Sequence, residues 1–294
     1  MAVPRTCDLC HGEDWRPSWE RDGRRYLSCE GCGFVVADLT PVEFERLNEE
    51  TFEGLLEHYV QRSYEPRRQA RYARRLARLE RRVGVGHLLE VGSNVGGFLY
   101  AARARGWQPV GVEPVAACAR WAREEHGLDV RIGSIETANL ESARYDAAYA
   151  HAVLEHLTDP VGALRVIADA LRPGGVCWLD TVNAASYSAT RLGSDWKLID
   201  PALHYCLWTP ATLRLACHRA GLEVVAVHSH GVRLRPNAAG RPRGLSRGFD
   251  EIRKLPWSAA ARWTLRGESV AVLVRRPARQ LRPETVPAKV AAAM

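Results

Sequence analysis

The stretch LLEVGSNVGGFL, Leu88–Leu99, decides the fold of this chain because it joins an apolar strand to a glycine-bearing turn and then to a helix. Its first residues, LLEV, are typical of a buried strand interrupted by one carboxylate, Glu90. Gly92, Gly96 and Gly97 let the backbone turn tightly and approach a ligand closely. The stretch therefore predicts a nucleotide-binding strand, turn and helix.

A second predicted strand, Gln108–Val112, ends in Glu113 about twenty residues after this turn. In doubly wound α/β folds, a carboxylate at that spacing hydrogen-bonds the two hydroxyls of a ribose. The glycine turn alone is a weak signal, since many loops contain three glycines. Together the two features predict an α/β, Rossmann-like sheet that binds a nucleoside-containing ligand.

Further motifs extend this pattern into a resemblance to the class I S-adenosylmethionine-dependent methyltransferases. The turn reads E-V-G-S-N-V-G-G from Glu90, and YDAAYAHAVLEHLTDP (Tyr145–Pro160) and LRPGG (Leu171–Gly175) follow in the family's order. The resemblance spans about Val83 to Arg276. It implies a seven-stranded Rossmann-like sheet, S-adenosylmethionine (SAM) as cofactor, and SAM-dependent methyl transfer as the activity.

The resemblance also implies which residues bind the methyl donor. Glu113 is expected at the ribose and His151 at the methionine end of the pocket. Many family members carry an Asp at the adenine, where this chain offers Ser134 or Glu136. The expected donor-binding residues are Glu90, Gly92, Ser93, Gly96, Glu113, Pro114, Ser134, Ile135 and His151.

The composition is that of an ordinary soluble protein with a sizeable core, since 46% of the 294 residues are hydrophobic. The N-terminus MAVPRTCDLC has no apolar run behind a basic start, and no apolar stretch is long enough to span a bilayer. We therefore expect a cytoplasmic protein without a membrane partner. The expected organisation is a cysteine module over 1–40, a helical connecting segment over 41–82, and a catalytic domain over 83–276 with an insertion at 231–267, followed by a flexible tail over 277–294.

The net charge of +7 is compatible with nucleic acid, anionic lipid or an acidic small molecule as a partner. Its densest cluster, Arg67–Arg82, follows Pro66 and predicts a helix in which Leu76 and Leu79 lie on an apolar stripe. Two interpretations remain open. The arginines form a solvated face of a helix packed on the catalytic domain, or they form a basic surface for RNA or phosphate, in which Tyr72 is the interleaved aromatic residue.

Two cysteine pairs, Cys7-x-x-Cys10 and Cys29-x-x-Cys32, are separated by eighteen residues. This spacing suits two thiolate knuckles that converge on one tetrahedral zinc ion, with the intervening RDGRRYLSC forming a hairpin. Two disulfides, or four unrelated thiols, are the alternatives, and disulfides are typical of secreted proteins. Four thiolates close the coordination sphere, so we expect a structural Zn²⁺ that takes no part in methyl transfer.

The cysteine quartet and the following acidic-aromatic segment, Pro41–Tyr64, are similar to the N-terminal region of zinc-binding methyltransferases of bacterial deoxysugar, surface-polysaccharide and natural-product pathways. The segment Ser186–Leu222 resembles the part of that family in which a W-x(7)-H spacing, here Trp196 and His204, lies over the donor pocket and shapes the acceptor site. The resemblance implies a small-molecule acceptor.

Methyl transfer to a hydroxyl requires removal of its proton, and histidine titrates close to neutrality. His204 is the favoured base because it lies among aromatic residues of the acceptor-shaping segment. The E-H pair Glu155 and His156 supplies the other catalytic candidates. Alternatively, Glu155 and His156 hold a divalent metal that polarises a catechol-like acceptor, as in O-methyltransferases of quinone pathways.

The leading hypothesis is methyl transfer to a hydroxyl, or less readily an amine or carbon, of a sugar or secondary-metabolite intermediate. An RNA methyltransferase that binds nucleic acid through the cysteine module and the arginine-rich helix is the first alternative. HAVLEH stands after the fourth strand where RNA base methyltransferases carry an Asn/Asp-Pro-Pro-aromatic tetrad. A non-catalytic assembly protein is the second, against which the intact glycine turn and Glu113 argue.

Overall fold

The computed structural model describes residues 6–52, 55–233 and 256–278. Most of the expected 231–267 insertion, and the expected tail beyond residue 278, lie outside these residues. None of the helices in the described part of the chain is long and apolar enough to cross a membrane.

The N-terminal part forms a small antiparallel hairpin and three helices. The hairpin turns at Asp22 and Gly23, which both have positive φ, as the Asp-Gly pair predicts. The elements are β1 (Trp15–Arg21), β2 (Arg24–Cys29), β3 (Val35–Ala37), α1 (Pro41–Phe52), α2 (Leu56–Ser63) and α3 (Pro66–Val83).

The remaining elements alternate between strands and helices. They are β4 (His87–Val91), α4 (Gly97–Arg103), β5 (Gln108–Glu113), α5 (Ala116–His126), β6 (Asp129–Ile132), β7 (Tyr145–His151), α6 (Pro160–Ala170), β8 (Leu171–Val182), α7 (Tyr187–Leu192), β9 (Cys206–Leu207), α8 (Pro210–Arg219), β10 (Glu223–His230) and β11 (Ser269–Arg275). Short 3-10 turns cover Leu154–His156 and Gly193–Asp195, and residues 256–264 are helical.

A seven-stranded sheet, in the order β10-β11-β8-β7-β4-β5-β6, forms the centre of the molecule. Strands β4 to β8 pair in parallel, and β11 lies antiparallel between β8 and β10. The predicted Rossmann-like sheet is confirmed. From β4 the chain adds β5 and β6 on one side and then crosses over to add β7 on the other side of β4. The carboxyl end of β4 is therefore the topological switch point, where such sheets bind ligands.

Strand β8 begins earlier than the sequence predicts. We expected the LRPGG sequence to be a turn and the strand to start at Val176, whereas Leu171 already pairs with Tyr145. The pairing register then shifts before Val176 meets Ala147. The R-P-G-G residues form a bulge within the strand, where Gly174 takes a φ of 82°.

Helix α3 packs its apolar stripe on one face of this sheet. Leu76 and Leu79 are fully buried with Phe98 and Trp178, as the helical periodicity predicts. Each buried leucine contributes about 1.5–3 kcal/mol to folding. One arginine of the helix also points inward, since Arg75 lies 3.4 Å from the buried carboxylate of Asp180.

A second sheet, in the order β1-β2-β3-β9, was not predicted in this form. Its first three strands come from the cysteine module, and β9 comes from the segment after β8 that was expected to shape the acceptor site. The module is therefore continuous with that segment through backbone hydrogen bonds.

Candidate functional site

A cavity of about 370 Å³ opens at the carboxyl ends of β4, β5 and β7. All the expected donor-binding residues line it except Gly96, whose neighbour Gly97 does. The structure thus brings the glycine turn, the carboxylate after β5 and the residues after β6 and β7 to one place.

Little space is left for side chains at the glycines of the turn. Gly92 has a φ of 69°, and a Cβ atom there would lie 2.5 Å from Cγ2 of Val153. A Cβ atom on Gly97 would lie 2.8 Å from Cβ of Ser63, on the helix that covers the turn. A side chain at either position would push its neighbour into the cavity or away from its wall.

Glu113 is buried at the end of β5, with both carboxylate oxygens oriented by backbone amides. Asn94 N donates to Oε2 at 2.7 Å, and Val115 N donates to Oε1 at 2.9 Å. Burial raises the pKa of Glu113 to about 7, although these two hydrogen bonds favour the charged form. The carboxylate is held rigidly and retains further lone pairs for hydroxyl donors.

Glu90 is a second buried carboxyl in the cavity wall. Burial, and then the negative charge of Glu113, raises its pKa well above the usual value. Its Oε2 has no hydrogen-bond partner among the described residues. Since an unpaired buried polar atom costs about 1–3 kcal/mol, this oxygen is suited to a ligand that donates a hydrogen bond.

The wall opposite the sheet comes from helices α1 to α3, which the sequence did not assign to the site. Asn48, Tyr59, Arg68 and Tyr72 all line the cavity. In the described part of the chain, no carboxylate lies within ion-pair distance of Arg68. The only sequence signal was the position of Arg68 in the first turn of α3, two residues after Pro66.

The three catalytic candidates form one cluster beside the cavity. His156 lines the cavity, whereas His204 and Glu155 lie behind it and are 5% and 2% exposed. The rings of His156 and His204 have centroids 5.1 Å apart. One ligand atom of each of the three residues lies within 4.8 Å of the others.

Backbone carbonyls fix both imidazoles of this cluster. Nδ1 of His156 donates to Leu203 O at 2.7 Å, and Nδ1 of His204 donates to Leu198 O at 2.9 Å. Donation through Nδ1 sets the tautomer in which Nε2 of each ring carries no proton. Burial lowers the pKa of His156 to about 4, and burial followed by the charge of His156 lowers that of His204.

The carboxyl group of Glu155 completes the cluster. It accepts a 2.6 Å hydrogen bond from the hydroxyl of Thr181, and burial raises its pKa. A neutral imidazole pair beside a buried carboxyl can accept a proton or bind a cation.

His151, expected at the methionine end of the donor pocket, lies in the cavity wall at the end of β7. Its Nδ1 is 3.5 Å from Oδ2 of Asp180, which Arg75 and His230 also approach. Burial alone would raise the pKa of Asp180. The close approach of His151, and the positive charges of His230 and Arg75 near the carboxylate, outweigh burial and lower the pKa.

The four cysteines of the module converge, and their geometry fits a tetrahedral zinc ion. Cys7 and Cys32 have sulfurs 3.6 Å apart, and those of Cys10 and Cys29 are 3.5 Å apart. Four sulfurs at about 2.3 Å from one zinc would be separated by about 3.8 Å. Burial raises the pKa of Cys29 to about 11, so a bound cation is needed for all four thiols to ionise together.

Comparison with known proteins decides the family. A family model described as "Methyltransferase domain" matches residues 64–227, which is more than half of the chain. The chain belongs to this methyltransferase family. The match begins just before α3 and ends in β10, so it includes α3 and the strand ends that line the cavity but not the residues of α1 and α2 that line it.

Curated relatives match part of this chain. The ubiquinone biosynthesis O-methyltransferase of Xanthomonas axonopodis pv. citri (strain 306) is 31% identical over 150 residues, 47% of this chain and 62% of the relative. The malonyl-[acyl-carrier protein] O-methyltransferase of Serratia marcescens is 29% identical over 154 residues, 50% of this chain and 60% of the relative. The chain thus spans about three fifths of the length of these relatives.

A solved structure supports the fold. A SAM-dependent methyltransferase from Thermotoga maritima superposes with a TM-score of 0.53 at 17% sequence identity, covering 78% of this chain and 98% of the other. At that identity the likeness establishes the class I methyltransferase fold.

Proposed function

We propose that this protein transfers the methyl group of SAM to a hydroxyl group of a small molecule, a sugar or a secondary-metabolite intermediate. The observation that carries the proposal is the cavity at the switch point, in which Glu113 is rigidly oriented beside the glycine turn. SAM, when bound, supplies a methyl group on a positively charged sulfur. The work left to the chain is to bind the donor, orient the acceptor and remove its proton.

Charge complementarity supports the donor assignment at the methionine end as well as at the ribose. Glu113 would accept hydrogen bonds from the ribose hydroxyls. The unpaired oxygen of Glu90 suits an ammonium group, and Arg68, on the opposite wall, suits a carboxylate. An amino acid carries both an ammonium group and a carboxylate. SAM contains such an amino-acid part, and a simple nucleoside does not.

The acid–base role belongs, in this proposal, to the cluster of Glu155, His156 and His204. His156 meets the cavity, and His204 and Glu155 stand directly behind it. Both histidines are neutral near pH 7 because burial lowers their pKa values. We propose His204 as the proton acceptor and His156 as the residue that connects it with the cavity.

The cysteine module is proposed to hold one structural zinc ion, since its four sulfurs have the spacing of a closed tetrahedral site. All four thiolates would be used as ligands. The ion would stabilise the β1–β3 unit, which has little apolar core of its own.

The test is transfer of an isotope-labelled methyl group from SAM to a panel of acceptors. The panel contains catechols, nucleotide-linked deoxysugars, a malonyl thioester and total RNA, each assayed with and without added Mg²⁺. Labelling of a hydroxyl compound supports the proposal. Labelling of RNA alone, or of no acceptor while SAM binds, would contradict it, and strict Mg²⁺ dependence would favour a metal at Glu155 and His156 over a histidine base.

A further inference from the structure

The cysteine module and the segment that carries His204 form a single sheet. Strand β9 pairs with β3, with Val35 opposite Leu207 and Val36 opposite Cys206. Next to this pairing, Ala37 N donates to Tyr205 O at 2.7 Å. The backbone after His204 is therefore a strand of the module's own sheet.

The backbone of His204 itself is held from the module by Tyr26, on β2. The Tyr26 hydroxyl donates to His204 O at 2.8 Å, between residues that are 178 positions apart in the chain. Tyr26 has no exposed surface, and burial raises its pKa well above the usual value, so its phenol remains protonated and donates. This hydrogen bond is shielded from water.

The other side of the same backbone is held by the cavity wall. Leu203 O accepts hydrogen bonds from Asn48 Nδ2 at 3.1 Å and from His156 Nδ1 at 2.7 Å, and both donors line the cavity. Residues 203–204 thus lie between the module and the cavity. A shift of the module would move the His204 ring relative to His156.

Aromatic packing reinforces this connection. Phe34, between the second cysteine pair and β3, has its ring centroid 4.9 Å from that of Trp208. Phe44, on α1, lies 5.0 Å from Tyr205. The segment that follows His204 is therefore packed against both the module and α1.

We propose that the cysteine module positions the acceptor side of the site, with Tyr26 as the positioning residue for His204. Cys29 ends β2, which carries Tyr26, and Cys32 precedes β3, which pairs with β9. A metal held by the cysteines would therefore fix both strands. Tyr26 does not line the cavity and acts through His204. The proposal rests on the acceptor-side role of His204 in the proposed function.

The first test compares Tyr26→Phe with Tyr145→Phe in the full-length, metal-loaded protein. Tyr145 is a matched control, because it is equally buried and its hydroxyl has no hydrogen-bond partner within the described residues. We expect amide hydrogen exchange in residues 198–207 to accelerate about 3- to 10-fold in Tyr26→Phe, as loss of one buried hydrogen bond predicts. Affinity for S-adenosylhomocysteine should stay within about twofold of wild type, and the control should show neither change.

A site-specific measurement separates positioning from general destabilisation. NMR of ring-labelled histidine should show the pKa of His204 rising toward its usual value in Tyr26→Phe, because a displaced ring regains water. The His151 signal serves as an internal reference. The proposal would be overturned if Tyr26→Phe showed the same amide hydrogen-exchange rates and the same His204 titration as the wild type. It would also be overturned if the affinity for S-adenosylhomocysteine fell in proportion to the accelerated exchange.

The second test removes the metal from the wild-type protein with a chelator in the presence of S-adenosylhomocysteine. We expect amide hydrogen exchange to accelerate in residues 26–37 and 198–207 together, while residues 92–97 of the glycine turn stay protected from exchange. Acceleration confined to the module would overturn the proposal. None of these measurements uses a methyl acceptor, so failure of the proposed methyl transfer would be recognised separately.

Discussion

Replacement of Glu113 by Ala should weaken binding of S-adenosylhomocysteine, the demethylated donor. The carboxylate accepts from Asn94 N and Val115 N, and in the complex it would also accept from two ribose hydroxyls. Removing it leaves donors unpaired in a closed site, which costs about 1–3 kcal/mol, or about 5- to 150-fold in Kd. Glu113→Gln should also weaken binding, because its amide nitrogen must face one of the two backbone N–H groups.

The raised pKa of Glu113 gives this prediction a pH signature. Hydroxyl donors stabilise the charged carboxylate, so binding releases a proton and affinity should rise with pH through about 7. At pH 6 only about one tenth of the free protein has this group ionised, and affinity should be about tenfold lower than at pH 8. The same raised pKa stabilises the ligand-free fold at low pH, and that stabilisation, at most about 3 kcal/mol, is lost as the pH rises from 4.5 to 7.

Calorimetric titration of wild type, both variants and Glu141→Gln at pH 6, 7 and 8 provides the measurement. Glu141 is an exposed carboxylate outside the cavity and serves as the control. Affinity of both Glu113 variants should be nearly independent of pH. The assignment of Glu113 to the ribose would be refuted if Glu113→Ala bound S-adenosylhomocysteine as tightly as the wild type does. It would also be refuted if the affinity of the wild type did not change with pH.

Three further expectations concern other parts of the molecule. Elemental analysis should find one zinc per chain, and Cys29→Ser should lose it together with thermal stability, whereas a metal-free, fully stable protein would contradict a structural zinc site. His204→Ala should keep its affinity for S-adenosylhomocysteine while turnover falls about 10²- to 10⁴-fold; if turnover persists and His156→Ala abolishes it, His156 is the base. Gly92→Ala should destabilise the fold by about 2 kcal/mol more than Gly127→Ala in calorimetric unfolding, because both positions have positive φ but only Gly92 lacks space for a Cβ atom.

Features that depend on neighbouring residues could be predicted from the sequence alone. The strand and turn at Leu88–Leu99, the spacing to Glu113 and the cysteine spacing each express a local rule, and the structure brings these residues together as expected. Hydrophobic periodicity likewise placed the buried face of α3. Such signals are readable because strand alternation, helical spacing and turn chemistry act over a few residues.

Features that depend on residues far apart in the chain became visible only in the folded structure. Arg68 lines the cavity only because α3 packs across the sheet, and its sequence context shows no more than the start of a helix. Pairing of β3 with β9, and the contact between Tyr26 and His204, join positions about 170 to 180 residues apart. A two-residue strand has too weak a local preference to be recognised in sequence. It forms here because the edge of the cysteine module offers unpaired backbone groups, and burial against Phe34 and Phe44 compensates for ordering the segment.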